Sequence, residues 1–214
     1  MTVLNVAMYG SDELAKDIAK ATDQRDVHTY VHKEYQDNVA KIISIIRPAR
    51  YPERLRPLLN AISAGRVGII EITAIDATLG EVLVAFASSS IRLGIAVINP
   101  PDGEWIDQDM VKKMFEQAGL NQWKFMTYDG LEIRRQLYTL MDDIDHELIN
   151  AAASPLVVSI DQHFNVKGIG LVAIGYVQCG VLNVHDELHI LPAKAGGNTK
   201  SLQVMDDDVK QAQS

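Results

Sequence analysis

Over the first 150 residues, short apolar runs alternate with stretches of helical periodicity. Few folds accept that alternation. Val3–Met8, Ile42–Ile46, Val67–Ile72 and Ile95–Ile98 are apolar on both alternating faces, so each needs cover above and below. A largely parallel sheet with helices on both sides supplies that cover. Val27–Glu34 alternates enough to read as an edge strand, and Trp123–Met126 as the last strand. Helices are expected over Glu13–Ala21, capped by Ser11 or Asp12, and over Leu55–Ala64, with Pro57 in the tolerated first turn. Further helices are expected over Gly80–Ser88, over Asp107–Ala118 with Gly119 at its end, and over Asp129–Leu140.

The texture then changes. The acidic stretch Met141–Glu147 and Ala151–Pro155 read as a linker. Beyond it, Leu156–Ile160, Gly170–Gln178 and Glu187–Leu191 read as strands separated by glycines, with a helix considered only for the final residues. That is a small all-β module. The chain is 47% hydrophobic, enough for one large core and a small second one. Its net charge of −8 disfavours wholesale binding of nucleic acid, so any RNA contact must be a local patch. One cysteine, Cys179, forms no internal disulfide and fits a reducing compartment. No apolar run reaches the roughly 20 residues of a membrane span, and the opening MTVLNVAMYGSDELAK does not read as a signal peptide. Cytoplasmic residence is the expectation.

The second module carries spaced features in PLVVSIDQHFNVKGIGLVAIGYVQCGVLNVHDELHILP. Phe164 precedes Lys167-Gly168-Ile169-Gly170, where the glycines permit a turn at positive φ. A strand leads to Gly175-Tyr176-Val177, Gly180 turns the chain, and Val181–Val184 is followed by His185-Asp186. This string resembles the second-domain β-barrel of the elongation factor EF-Tu, and still more that of the selenocysteine factor SelB. The resemblance implies an α/β chain in which a P-loop GTPase-like domain over residues 1–147 is followed by a translation-factor β-barrel over 148–214. That barrel is expected to be incomplete and the family's third domain missing; an unpaired barrel edge would invite a homo-oligomer.

The GTPase motifs that the resemblance implies have eroded. The phosphate loop G-x-x-x-x-G-K-[ST] is represented by Gly10-Ser11-Asp12-Glu13-Leu14-Ala15-Lys16-Asp17. Gly10 and Lys16 align. Ala15 replaces the second glycine and Asp17 the magnesium-binding hydroxyl, and three carboxylates crowd the place of a triphosphate. The D-x-x-G motif falls at Arg47-Pro48-Ala49-Arg50, with both defining residues lost, and Tyr51 stands where the family carries its hydrolysis-associated histidine. Of the guanine-reading N-K-x-D, Asn99 and Asp102 remain around two prolines. The last base-supporting element would fall near Thr127-Tyr128-Asp129 and is not recognisable. Each remnant has a plainer reading: Gly10 as a turn, Lys16 as a solvated helix residue, and Asn-Pro-Pro-Asp-Gly as a turn on propensity alone.

Arg47, Arg50, Arg54 and Arg56 concentrate positive charge in an acidic chain, as a contact for RNA phosphate or an acidic partner, or as a solvated face paired with residues such as Glu53. His28 and His32 share a strand face without an evident third ligand, so no metal site is expected. No nucleophile context is present, and Cys179 reads as packing. The expected function is that of a non-hydrolysing binding or assembly module acting with tRNA, the ribosome or a protein factor, with no catalytic residue and no cofactor. The alternative is a residual GTP-binding protein that holds nucleotide, with magnesium, through Gly10, Lys16, Asn99 and Asp102.

Overall fold

The computed structural model describes residues 2–24, 27–36, 39–144, 151–204 and 207–213. The chain divides into two units, Met1–Asp143 and Ile144–Ser214. Of the acidic stretch Met141–Glu147 expected as the start of a linker, Met141 to Asp143 belong to the last helix of the first unit, and residues 145–147 lie outside the described residues.

In the first unit the apolar runs become strands β1 (Thr2–Tyr9), β4 (Val39–Pro48), β5 (Val67–Ile72), β6 (Gly94–Ile98) and β7 (Lys124–Thr127). With β2 (Lys20–Gln24) and β3 (Val27–Gln36) they form one sheet in the order β2-β3-β4-β1-β5-β6-β7. The five strands from β4 to β7 pair in parallel, while β2 and β3 run antiparallel at one edge. The sheet is therefore mixed. All six residues of β5 and all five of β6 are buried, as continuous apolar strands require when both faces are covered.

Helices α2 (Leu55–Ala64), α3 (Ala77–Ala87) and α4 (Gln108–Gln117) share one core with the sheet, built on Leu58, Ile62, Leu83, Phe86, Val111 and Phe115. Trp123 closes it, edge-on to Phe86 with ring centroids 5.4 Å apart. This ring explains a glycine inside a strand. A Cβ on Gly68 would fall 2.3 Å from a Trp123 ring carbon, so the indole packs directly on backbone. Helices α1 (Asp12–Ile18) and α5 (Gly130–Asp143) pack against each other.

Helix α1 is shorter than its sequence suggests. Ala19-Lys20-Ala21 has high helix propensity, yet Ala19 is extended at φ −149° and Lys20 begins β2. Tertiary bonds override propensity here. Arg134 of α5 donates from Nε to the Ile18 carbonyl at 2.5 Å and from a terminal nitrogen to that of Asp17 at 2.8 Å. Those carbonyls would otherwise be unpartnered at a helix end.

The second unit is built of antiparallel ladders. The long hairpin β8 (Val157–Val166) and β9 (Gly170–Cys179) turns through Gly168 at φ 86° and Gly170 at φ 106°. Three shorter pairs follow: β10 (Val181–Asn183) with β15 (Gln211–Gln213), β11 (Glu187–Ile190) with β12 (Ala195–Asn198), and β13 (Leu202–Val204) with β14 (Asp207–Val209). The last described residues are strand, not helix, because β15 returns to pair with β10. Cys179 donates from its thiol to the Pro155 carbonyl at 3.1 Å.

Phe86 is fully buried and Val84, two residues away on α3, is 63% exposed. Phe86→Ala should cost about 3–5 kcal/mol, while Val84→Ala should stay within about 0.5 kcal/mol. Urea unfolding of both variants checks the contrast; similar midpoints would contradict the placement of this core.

Candidate functional site

From β1 the chain turns toward β4 on one side, and from β4 it returns through α2 to β5 on the other. The carboxyl ends of β1 and β5 therefore flank a topological switch point, where open α/β sheets receive their ligands. Only Gly10 and Ser11 separate β1 from α1. Ser11 has extended backbone, and its hydroxyl accepts from the Leu14 amide at 3.1 Å, starting the helix at once.

The group facing this turn is a side chain of the protein itself. Glu71, from β5, is 3% exposed. Its Oε2 accepts from the Ser11 amide at 2.5 Å and its Oε1 from Asn99 Nδ2 at 2.7 Å. Each oxygen thus has a donor, which is what a buried carboxyl requires. Gly10 makes the approach possible, because a Cβ there would lie 2.9 Å from both Cβ and Oε2 of Glu71. Arg47 completes the set, donating from Nε to the Gly10 carbonyl at 2.6 Å. Residues at the ends of β1, β4, β5 and β6 are tied together here.

Three of the residues singled out in the sequence, Gly10, Arg47 and Asn99, thus meet around a fourth that motif reading passes over. The signal for Glu71 was present: one carboxyl inside the apolar run Val67–Ile72 must find donors when that run is buried. The other candidates lie elsewhere. Lys16 is on α1, paired with Asp12 at 2.5 Å, and its side chain is 54% exposed. Asp17, in the place of the magnesium-binding hydroxyl, accepts from Tyr128 at 2.7 Å. Asp102 is exposed in the turn after β6. Arg50, Arg54 and Arg56 are exposed around the start of α2, so the arginine run splits, with Arg47 alone engaged at the switch point.

Tyrosines and acids surround this edge. Tyr51 donates to Glu81 at 3.0 Å and stands edge-on to Tyr9 at 5.8 Å. Burial, then the Glu81 bond, pushes the Tyr51 hydroxyl up to about 12. Burial and the bond to Asp17 do the same to Tyr128, also to about 12. Burial raises Tyr9 as well, with Asp76 and Glu71 adding to it. At neutral pH these hydroxyls keep their protons and serve as donors, not bases. Asp12 moves the other way: the Lys16 bond, followed by the Tyr30 hydroxyl, holds its carboxyl below the usual range. His32 bonds to Tyr138 at 2.9 Å, and among the described residues no group of three or more His, Cys, Asp or Glu is placed to hold a metal ion.

No family model matches the chain. An uncharacterised protein of Methanocaldococcus jannaschii is 28% identical over 215 residues, covering all of this chain and 65% of that protein. The selenocysteine-specific elongation factor of the same organism is 35% identical over 84 residues, 39% of this chain and 18% of that factor. An elongation factor 1-alpha, from Thermofilum pendens, is 38% identical over 58 residues, 27% of this chain and 13% of that factor. The chain thus spans less than two thirds of each of these relatives. Among solved structures, a bacterial selenocysteine-specific elongation factor, EF-Sec, matches at TM-score 0.76 and 18% identity, covering all of this chain and 40% of that one. The SelB factor of Methanococcus maripaludis, in complex with the GTP analogue GppNHp, matches at TM-score 0.69 and 18% identity, covering all of this chain and 49% of that one.

Sheet order and helix placement define a P-loop GTPase-type α/β fold, followed by small β strands. More narrowly, the fold is that of the translation elongation factors of the SelB type.

Two substitutions probe the site. Glu71→Gln sets an amide nitrogen against one of two donors and should cost about 1–3 kcal/mol; an unchanged urea midpoint would contradict the bridge. Asp12, with its folded-state pKa depressed, contributes stability that is present above the unfolded value of about 3.9 and lost as pH falls. Asp12→Asn should therefore flatten the decline of stability between about pH 5 and pH 2, measured by urea unfolding across that window.

Proposed function

We propose that this chain is a translation factor-like binding module that does not hydrolyse GTP, because its own Glu71 carboxyl fills the place of a phosphate. One observation carries this reading: the Ser11 amide at the switch point already donates to Glu71. A phosphate site at such a turn needs free amides and net positive surroundings. The residues here do not fit a nucleoside triphosphate with magnesium. The turn from β1 to α1 is two residues long, Lys16 is paired with Asp12, and Asp17 with Tyr128. Asn99, the remnant of the guanine-reading motif, gives its amide to Glu71. The competing reading, residual GTP binding through Gly10, Lys16, Asn99 and Asp102, would have to break those bonds first.

The likeness to SelB and to elongation factor 1-alpha supports a partner in the translation machinery: a tRNA, the ribosome or a protein factor. Exposed Arg50, Arg54 and Arg56 are the residues for contact with RNA phosphate or an acidic surface. The second unit is read as the barrel of the translation-factor second domain, and self-association through a barrel edge is part of that reading. Cytoplasmic residence follows from a role in translation; among the described residues no helix is long and apolar enough to cross a membrane.

Isothermal calorimetry with GTP and Mg²⁺ tests the reading. No binding heat is expected up to about 1 mM nucleotide, a free energy weaker than about −4 kcal/mol. Micromolar binding would overturn it.

A further inference from the structure

A second feature of the first unit is independent of the switch point. The loop after β5 and the loop before α4 border an open surface hollow of about 310 Å³, lined by Thr73, Ala74, Ile75, Glu104, Trp105 and Asp107 among others. Trp105 is 80% exposed, whereas the chain's other tryptophan, Trp123, is 4% exposed within the core. We propose that this hollow is a docking site for a basic side chain, arginine above all, presented by a protein partner.

The chemistry of the walls selects the ligand. Glu104 and Asp107 line the hollow and no cation does. Asp76, beside Ile75, and Asp102, two residues before Glu104, add negative charge in the same loops. An indole face with carboxylates beside it suits a guanidinium, which stacks on the ring and accepts the fork geometry of a carboxylate. Phosphate is repelled by the same groups, so RNA is disfavoured here. The volume lies at the small end of ligand sites, fitting one side chain rather than a nucleotide. The chain's charge of −8 favours approach of a basic partner.

The walls are also held in place. Asp76 caps α3 through the Leu79 amide at 2.8 Å. Asp107 caps α4 through the amides of Asp109 and Met110 at 3.0 and 3.1 Å. Ile106, between Trp105 and Asp107, is buried at 6% exposure. An exposed tryptophan on anchored loops is the kind of residue that dominates binding energy at interfaces, and preorganisation limits the entropy lost on docking.

This inference rests on the binding-module reading only in taking the partner to be a protein. Its failure is separable, since the nucleotide titration reports on Ser11 and Glu71, and the test here on Trp105. The whole chain is titrated with acetyl-Gly-Gly-Arg-Arg-Gly-Gly-amide, with the matched di-glutamate peptide, and with an oligouridylate. The indole N–H signals of Trp105 and Trp123 are followed by NMR. The arginine peptide should shift the Trp105 signal saturably, with a Kd on the order of 1 mM, and leave Trp123 still. Glu104→Gln should weaken binding about three- to tenfold, and Trp105→Leu, read from the backbone amides of Glu104 and Asp107, should abolish saturation. An equal response to the glutamate peptide, a Trp105 shift caused by oligouridylate alone, undiminished binding to Trp105→Leu, or no saturable shift at all would each overturn the proposal.

Discussion

The bridge from the Ser11 amide through Glu71 to Asn99 is the interaction on which the functional reading depends. A buried carboxyl group without donors costs several kcal/mol, so the strand ends around it are arranged to supply them. Gly10 lacks a side chain where one would collide with Glu71. Arg47 holds the Gly10 carbonyl. Asn99 turns its amide inward, and its backbone amide bonds to the Ile72 carbonyl at 2.9 Å. These bonds join the strand ends at the place where open α/β sheets receive their ligands.

The surrounding architecture is held by apolar packing on the sheet and by side chains that bond to backbone. Strands β5 and β6 are buried along their whole length, and Trp123 packs on the bare backbone of Gly68 with Phe86 and Phe115 around it. On the opposite edge, Arg134 ends α1 and makes room for β2. Each of these contacts lies within the first unit and fixes the frame in which the ends of the strands meet.

Much of this frame is legible in the sequence, because its determinants are periodic or local. The continuous apolar runs mark the buried strands, Gly119 and the glycines around Ile169 mark turns at positive φ, and the string from Pro155 to Pro192 carries the likeness to translation factors. Three features escape a linear reading. The end of α1 is decided by Arg134, more than a hundred residues away. The strand β15 depends on a partner, β10, that the local sequence does not name. Glu71 escapes because motif matching looks for what should be present, whereas a carboxyl group inside a buried strand announces itself only when its burial is taken seriously. Of the residues that motif spacing picks out, Asn99 donates to that carboxyl group and Gly10 leaves room for it, while Arg47 parts company with the arginines that follow it.

The central claim is that Glu71, and not an anion from solution, holds the Ser11 amide. The most direct measurement is the ¹H–¹⁵N signal of Ser11, followed as GppNHp and Mg²⁺ are added in large excess to the native chain and to Glu71→Ala. The account predicts a Ser11 signal unmoved by nucleotide in the native chain and displaced by the substitution. A Ser11 signal that shifts progressively as nucleotide is added to the native chain, or one that Glu71→Ala leaves in place, would contradict it.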